Sequence, residues 1–174
     1  YLQLNTTSAE IDTTVTFNDT EPTSSVFTLS DGGGHRIANF SGDNYVAYCL
    51  AEKKGYSKFG SYTANANADG PFVYTGFKPS FVLAKNIDQA QPWVMIDNKR
   101  DTSNEVTKGL NPNASGAETD SSANNGCDFL SNGFKIRAIS TGDLNYTSGQ
   151  AYIYMAIAEH PFVTAGTKAA GTAR

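Results

Sequence analysis

Two glutamates close nearly the same word: Glu52 ends "YVAYCLAE" and Glu159 ends "YIYMAIAE", 107 positions further on. A carboxylate just past an apolar strand has two plausible chemistries. It can be half of the acid pair that hydrolyses a glycosidic bond, which needs two carboxyls about 5–10 Å apart. It can instead pair with a cation or accept backbone N–H bonds at a sheet rim, and Lys85, Arg100 and Arg137 are the cations considered for it. The chain's 17 acids supply many pairs, but none stands in a distinctive frame, so the ion pair is the expected role.

Other reactive constellations lack their residues or their spacing. His35 and His160 have no His-x-x-x-His or Cys-x-x-Cys companions with which to hold zinc. No G-x-S-x-G marks a nucleophilic serine. The acid-bearing loops "FNDTEPTS" (17–24) and "SGDN" (41–44) do not follow a calcium-loop pattern, and "DGGGH" at 31–35 reads as a turn rather than a phosphate cradle. No catalytic residue, metal ligand or cofactor is therefore expected, and the function sought is binding.

Sugar recognition calls for flat rings flanked by amides and carboxylates, because pyranose C–H faces stack on aromatics while hydroxyls need polar partners. Tyr56, Phe59, Tyr62, Phe72, Tyr74, Phe77, Phe81 and Trp93 crowd the middle of the chain, and strand alternation directs most of them inward as core. The loops supply the candidate ligand contacts: Tyr146 in "NYTSG", with Asn145 and Asp143 beside it, and Asn44 and Asp43 in "SGDN". Five Asn-x-Ser/Thr triplets are what so Asn-, Ser- and Thr-rich a sequence produces by chance.

Composition narrows the partners. A net charge of −4 without a basic cluster argues against nucleic acid. The longest apolar run is seven residues, far short of the roughly 20 needed to cross a bilayer as a helix, so no membrane insertion is expected. The opening at Tyr1, with no initiator methionine, reads as a processed product or fragment. Cys49, placed opposite Ala156 when the two words are aligned, reads as a small buried residue, and Cys127 lies by a Gly/Asn turn; nothing in the spacing pairs them.

The elements that must position these groups are strands. "YVAYCLA" and "YIYMAIA" are apolar on both alternating faces, as in a central strand covered above and below. Further strands are expected at 13–17, 26–29, 59–63, 72–75, 80–85, 93–97 and 134–138, with shorter runs near Leu2–Leu4 and Phe129 and one helical turn within "NASGAETDSSA" (113–123). Gly- and Asn-rich turns separate them, and the pattern predicts an all-β, jelly-roll-like β-sandwich. The echo runs on: Phe27 and Leu29 fall on Phe134 and Ile136, and Ser41-Gly42 on Ser148-Gly149, at the same 107-residue offset. The chain thus reads as one and a half repeats: 1–52 a second half-unit, 53–163 a complete unit, and 164–174 a flexible C-terminal tail. An unpartnered half-sandwich exposes strand edges, so assembly is expected.

The segments "NYVAYCLAEKKGYSKFGSYT", "DGPFVYTGFKPSFVLAKN", "WVMIDNKRD", "DFLSNGFKIR" and "YIYMAIAEHPF" together resemble a repeated domain of unknown function common in tailed-phage virion proteins, often marine and often tail-fibre-like. The resemblance covers almost the whole chain, with the segments in the family's order. It implies a place on a virion and brings no catalytic or binding residues with it. The expectation is a non-enzymatic virion module, a tail fibre or receptor-binding appendage adhering to a host surface glycan or protein. It is expected to be a homo-oligomer, trimeric by analogy with phage fibres, or to join other virion proteins. The alternatives are a structural or decoration protein of capsid or tail and, behind both, a glycan-degrading enzyme.

Overall fold

The computed structural model describes residues 1–30 and 38–161. The expected tail at 164–174, His35 and the "DGGGH" turn lie outside the described residues. The chain divides into two compact units, one of Tyr1–Gln3 with Glu10–Leu50, the other of Leu4–Ala9 with Ala51 onward.

The first unit contains one four-residue helix, α1 (Thr14–Phe17). A strand was the expectation here, from the β-branched run "TTVTF". The local hydroxyl decides otherwise: Thr13 is extended and its Oγ1 accepts the Val15 N–H at 3.3 Å, an N-cap that starts a helical turn. No strand forms at 26–29, at Leu2–Leu4 or across 45–51. Alternation identifies residues that suit a sheet, but a strand exists only where a neighbour completes its ladder.

The second unit holds the sheets. Its elements are β1 (Ser57–Thr63), β2 (Phe72–Tyr74), β3 (Pro79–Asn86), β4 (Trp93–Asp97), β5 (Lys108–Leu110), β6 (Thr119–Asp120), α2 (Ser122–Asn125), β7 (Cys127–Leu130), β8 (Gly133–Ile136) and β9 (Ala151–Ala158). They form two antiparallel sheets, one six-stranded in the order β1-β9-β3-β4-β5-β6 and one three-stranded in the order β2-β8-β7. The protein is therefore mostly β, and the apolar word at 152–158 is a central strand, paired with β1 on one side and β3 on the other.

Alternation sorts its side chains. Tyr152, Tyr154, Ala156 and Ala158 are buried, while Ile153, Met155 and Ile157 are half-buried. The expectation of full cover on both faces thus holds for one face only. Both sheets feed a single buried cluster: Tyr62, Val82, Ile96, Tyr152 and Tyr154 from one, Val73, Phe129, Phe134 and Ile136 from the other. Tyr62 stacks on Tyr152 at 4.9 Å, and Phe134 meets Tyr62 and Tyr154 edge-on at 6.3 and 5.2 Å. Such pairs each contribute about 1 kcal/mol beyond the area they bury.

Candidate functional site

The three-stranded sheet is short enough for its register to place every outward side chain. Phe72 lies opposite Lys135 and Lys135 opposite Asp128; Tyr74 lies opposite Gly133 and Gly133 opposite Leu130. Between those rows Val73, Phe134 and Phe129 point the other way, into the core. Burying Val73 turns the rings on either side of it outward, and Phe72 and Tyr74 stand 47% and 65% exposed. Two rings separated by one residue on a strand are about 7 Å apart at their Cα atoms.

Glycine makes room for this arrangement. A Cβ added to Gly133 would overlap the Val73 carbonyl oxygen and lie 3.0 Å from Phe72 Cζ, so the Phe72 ring rests over a bare stretch of β8. Around the rings the charges are paired. Lys135 Nζ lies 2.7 Å from Asp69 Oδ1 and donates to Gly70 O at 2.9 Å, and Arg137 Nε donates to Asp128 Oδ2 at 2.7 Å. The bond from Lys135 holds the Asp69 carboxyl below its ordinary range, and the bond to Asp128 holds the Arg137 guanidinium above its own. The exposed Ser131 and Asn132 form the β7–β8 turn, and the Asn132 carbonyl accepts the Thr75 and Gly76 N–H groups at 3.0 and 3.1 Å. The surface is thus two exposed rings in a frame of neutralised, hydrogen-bonding groups. Chemically it can stack on an apolar ring face and exchange hydrogen bonds at the rim.

The loop candidates fare differently. Asn145 is fully buried, and its amide is entirely committed: Oδ1 accepts the Asn65 and Ala66 N–H groups at 2.9 and 3.1 Å, while Nδ2 donates to Ala138 O, Asn67 O and Asn65 Oδ1 at 2.8, 2.9 and 3.1 Å. It ties two loops together, with both amide atoms already hydrogen-bonded within the protein. Tyr146 is half-buried, with its N–H donated to Tyr152 Oη at 3.1 Å. Asp143 is half-buried too, and burial pushes its carboxyl above the ordinary range. Asp43 and Asn44 are exposed, in the other unit.

The glutamates that end the repeated words are both ion-paired, with partners other than those expected. Glu159 meets Lys78 Nζ at 2.9 Å and accepts from Asn98 Nδ2 at 2.8 Å; Glu52 meets Lys58 at 2.8 Å. Arg100 pairs with Asp97 and Glu118, Arg137 with Asp128, and the buried Lys85 donates to the Asn86 and Gln89 carbonyls. Cys127 is buried and its thiol is pushed up by that burial, whereas Cys49 is exposed, against expectation; both are free.

An open hollow of about 520 Å³ in the first unit is lined by Glu10, Asp12, Asp19 and Glu21 together with Tyr1 and Phe17. All four acids are solvent-exposed. Among the described residues no group of three or more His, Cys, Asp or Glu side chains is disposed to hold a metal ion.

Fold and surface together define a β-rich, two-sheet protein that displays an aromatic pair. The chain belongs to the family described as Domain of unknown function (DUF7483), whose model matches residues 1–161. No curated protein and no solved structure matches it.

Proposed function

We propose that this protein is a non-enzymatic module of a phage virion, part of a tail fibre or similar receptor-binding appendage, that adheres to a host surface glycan through the outward face of its three-stranded sheet. In this reading the two sheets are the layers of a β-sandwich, built from one and a half copies of a repeat of about 107 residues, and the module works as a homo-oligomer, trimeric by analogy. The observation that carries the binding role is the pair Phe72 and Tyr74, large rings kept in water at 47% and 65% exposure with hydrogen-bonding groups beside them. Exposed rings on a rigid sheet lose little entropy on binding, and their flanking charges are already neutralised, which favours a neutral sugar over a charged one. The virion setting rests on the resemblance of the five segments to phage virion domains.

A glycan array and a cell-binding assay with the purified chain test the proposal. Binding that disappears in Phe72→Ala/Tyr74→Ala supports it, and equal binding by the double variant contradicts it. A second reading, a structural or decoration protein of capsid or tail, is favoured by one observation: Ile153, Met155, Ile157, Phe81 and Leu83 form a half-buried apolar patch on the second face of the six-stranded sheet. A virion density map that shows the rings of Phe72 and Tyr74 packed against another virion protein would decide for that reading.

A further inference from the structure

Among the described residues of 10–50 helix α1 is the one regular element, yet several local features there have counterparts 106–108 positions later in the sheet unit. Helix α1 is four residues long and starts after Thr13, whose hydroxyl caps it; α2 lies 108 positions later, is also four residues long, and starts after Ser121, whose hydroxyl accepts the Asn124 N–H. The Thr23 N–H closes a turn onto Val26 O at 2.8 Å, 107 positions before Leu130 and Gly133, the pair that closes the β7–β8 hairpin. Asn39 Nδ2 donates to Ser30 O, nine residues back, at 2.6 Å, and Asn145 Nδ2 donates to Ala138 O, seven residues back, at 2.8 Å, bonds alike in kind but not position for position.

The tyrosine that opens each apolar word accepts a loop N–H on its phenol oxygen: Tyr45 from Phe40, five residues back, at 3.1 Å, and Tyr152 from Tyr146, six residues back, at 3.1 Å, so the two donors are one position out of register. The turn before the word matches as well. Asp43 N–H reaches Phe40 O at 3.2 Å and Gln150 N–H reaches Thr147 O at 3.2 Å, each turn passing through a glycine at φ +89°, Gly42 and Gly149. Both glycines take the left-handed φ that glycine adopts without steric cost.

The parallel stops at the word itself. Tyr152–Ala158 lies between β1 and β3 in the middle of the six-stranded sheet, whereas Tyr45–Ala51 has no ladder on either side. Val46, Tyr48 and Leu50 are 79%, 89% and 70% exposed, and Cys49 is exposed where its counterpart Ala156 is fully buried. So apolar a segment with both edges unpaired is what sheet proteins avoid.

We infer that Tyr45–Ala51 is a central strand that docks between two strands of the β1 and β3 type, presented by a first half-unit of the same repeat. The inference rests on the one-and-a-half-repeat reading above. The internal parallel supplies the register: Tyr48 takes the place of Met155 between residues equivalent to Phe59 and Leu83, and Leu50 that of Ile157 between equivalents of Ser57 and Phe81. Tyr45, Ala47, Cys49 and Ala51 then face the core, as Tyr152, Tyr154, Ala156 and Ala158 do. The receiving strands stand about 10 Å apart, the width of one missing strand. A second complete copy of this chain is not the partner, because its own β9 fills the place between its β1 and β3.

The test is a chain in which residues 53–107 are duplicated ahead of Tyr1, compared with the 174-residue chain by amide hydrogen exchange and by Cys49 thiol reactivity. In the 174-residue chain the amides of 46–51 exchange fast and Cys49 reacts readily, Cys127 being buried. In the extended chain both rates fall by about 100-fold, toward those of a central strand. Tyr48→Asp in the extended chain restores fast exchange over 46–51 and leaves 152–158 protected. Fast exchange at 46–51 in the extended chain, whether or not the added strands fold, overturns the inference. So does protection already present in the 174-residue chain, including protection that grows with concentration as binding to a second copy would give. Glycan binding by Phe72 and Tyr74 does not enter either readout, so failure here leaves the adhesion proposal to its own test.

Discussion

Truncating Asn145 to alanine strips partners from the buried Ala138 carbonyl and from three backbone groups of the partly exposed 65–67 loop, the Asn65 and Ala66 N–H and the Asn67 carbonyl. Groups left buried without partners each carry a penalty of about 1–3 kcal/mol, part of it relieved by water, so Asn145→Ala is expected to lower unfolding stability by about 3 kcal/mol in a urea titration. Phe72→Ala and Tyr74→Ala are expected to behave oppositely: each leaves stability within about 1 kcal/mol of the parent while weakening glycan binding about tenfold or more, measured by calorimetry. Glu159 gives a pH signature. The bond from Lys78 holds its carboxyl below the ordinary value of 4.5. A depressed folded value contributes stability that is present above the unfolded value and lost as pH falls through the folded one. With Lys78 half exposed, solvent screening keeps the contribution at about 0.5–1 kcal/mol. The stability gap between parent and Glu159→Gln is therefore expected in full at pH 7 and to shrink as pH falls below 4.5, by urea titrations across that range.

At the level of elements, Gly133 is where the aromatic surface is most vulnerable. Because an added methyl meets the Val73 carbonyl, a backbone atom that cannot swing aside, Gly133→Ala is expected to push β2 off β8. A loss of about 1–3 kcal/mol in stability, with faster amide exchange at 72–74 and loss of glycan binding, is the outcome to measure. Which elements could be read from residues alone follows from the same physics. β1, β3, β4 and β9 announce themselves by period-2 apolar alternation. β5 and β6 are three and two residues long, too short and polar to show a period. The "TTVTF" run has strand propensity but a capping hydroxyl, and the hydroxyl prevails because no strand lies beside it. In "FVY" a three-residue element does not declare its face; aromatic size argues for burying the rings, whereas the register buries Val73. Asn145 misled in the other direction. A loop amide reads as solvent-facing, yet here it substitutes for a ladder by satisfying loop backbone groups.

For the whole molecule, this DUF7483 chain combines a well-cored two-sheet unit with a second unit in which, among the described residues, helix α1 is the one regular element. The repeated word was legible from sequence as a strand; that one copy would be central and the other without a ladder was not, because strandedness depends on neighbours that pattern does not encode. Adhesion, the central claim, is most directly tested by footprinting: amide and side-chain NMR shifts of the chain titrated with an oligosaccharide that binds on the array. The account predicts perturbations centred on Phe72, Tyr74, Leu130 and Lys135, with none at Asn145. Shifts confined to the 143–146 loop or to 43–44, with the two rings unmoved, would contradict it.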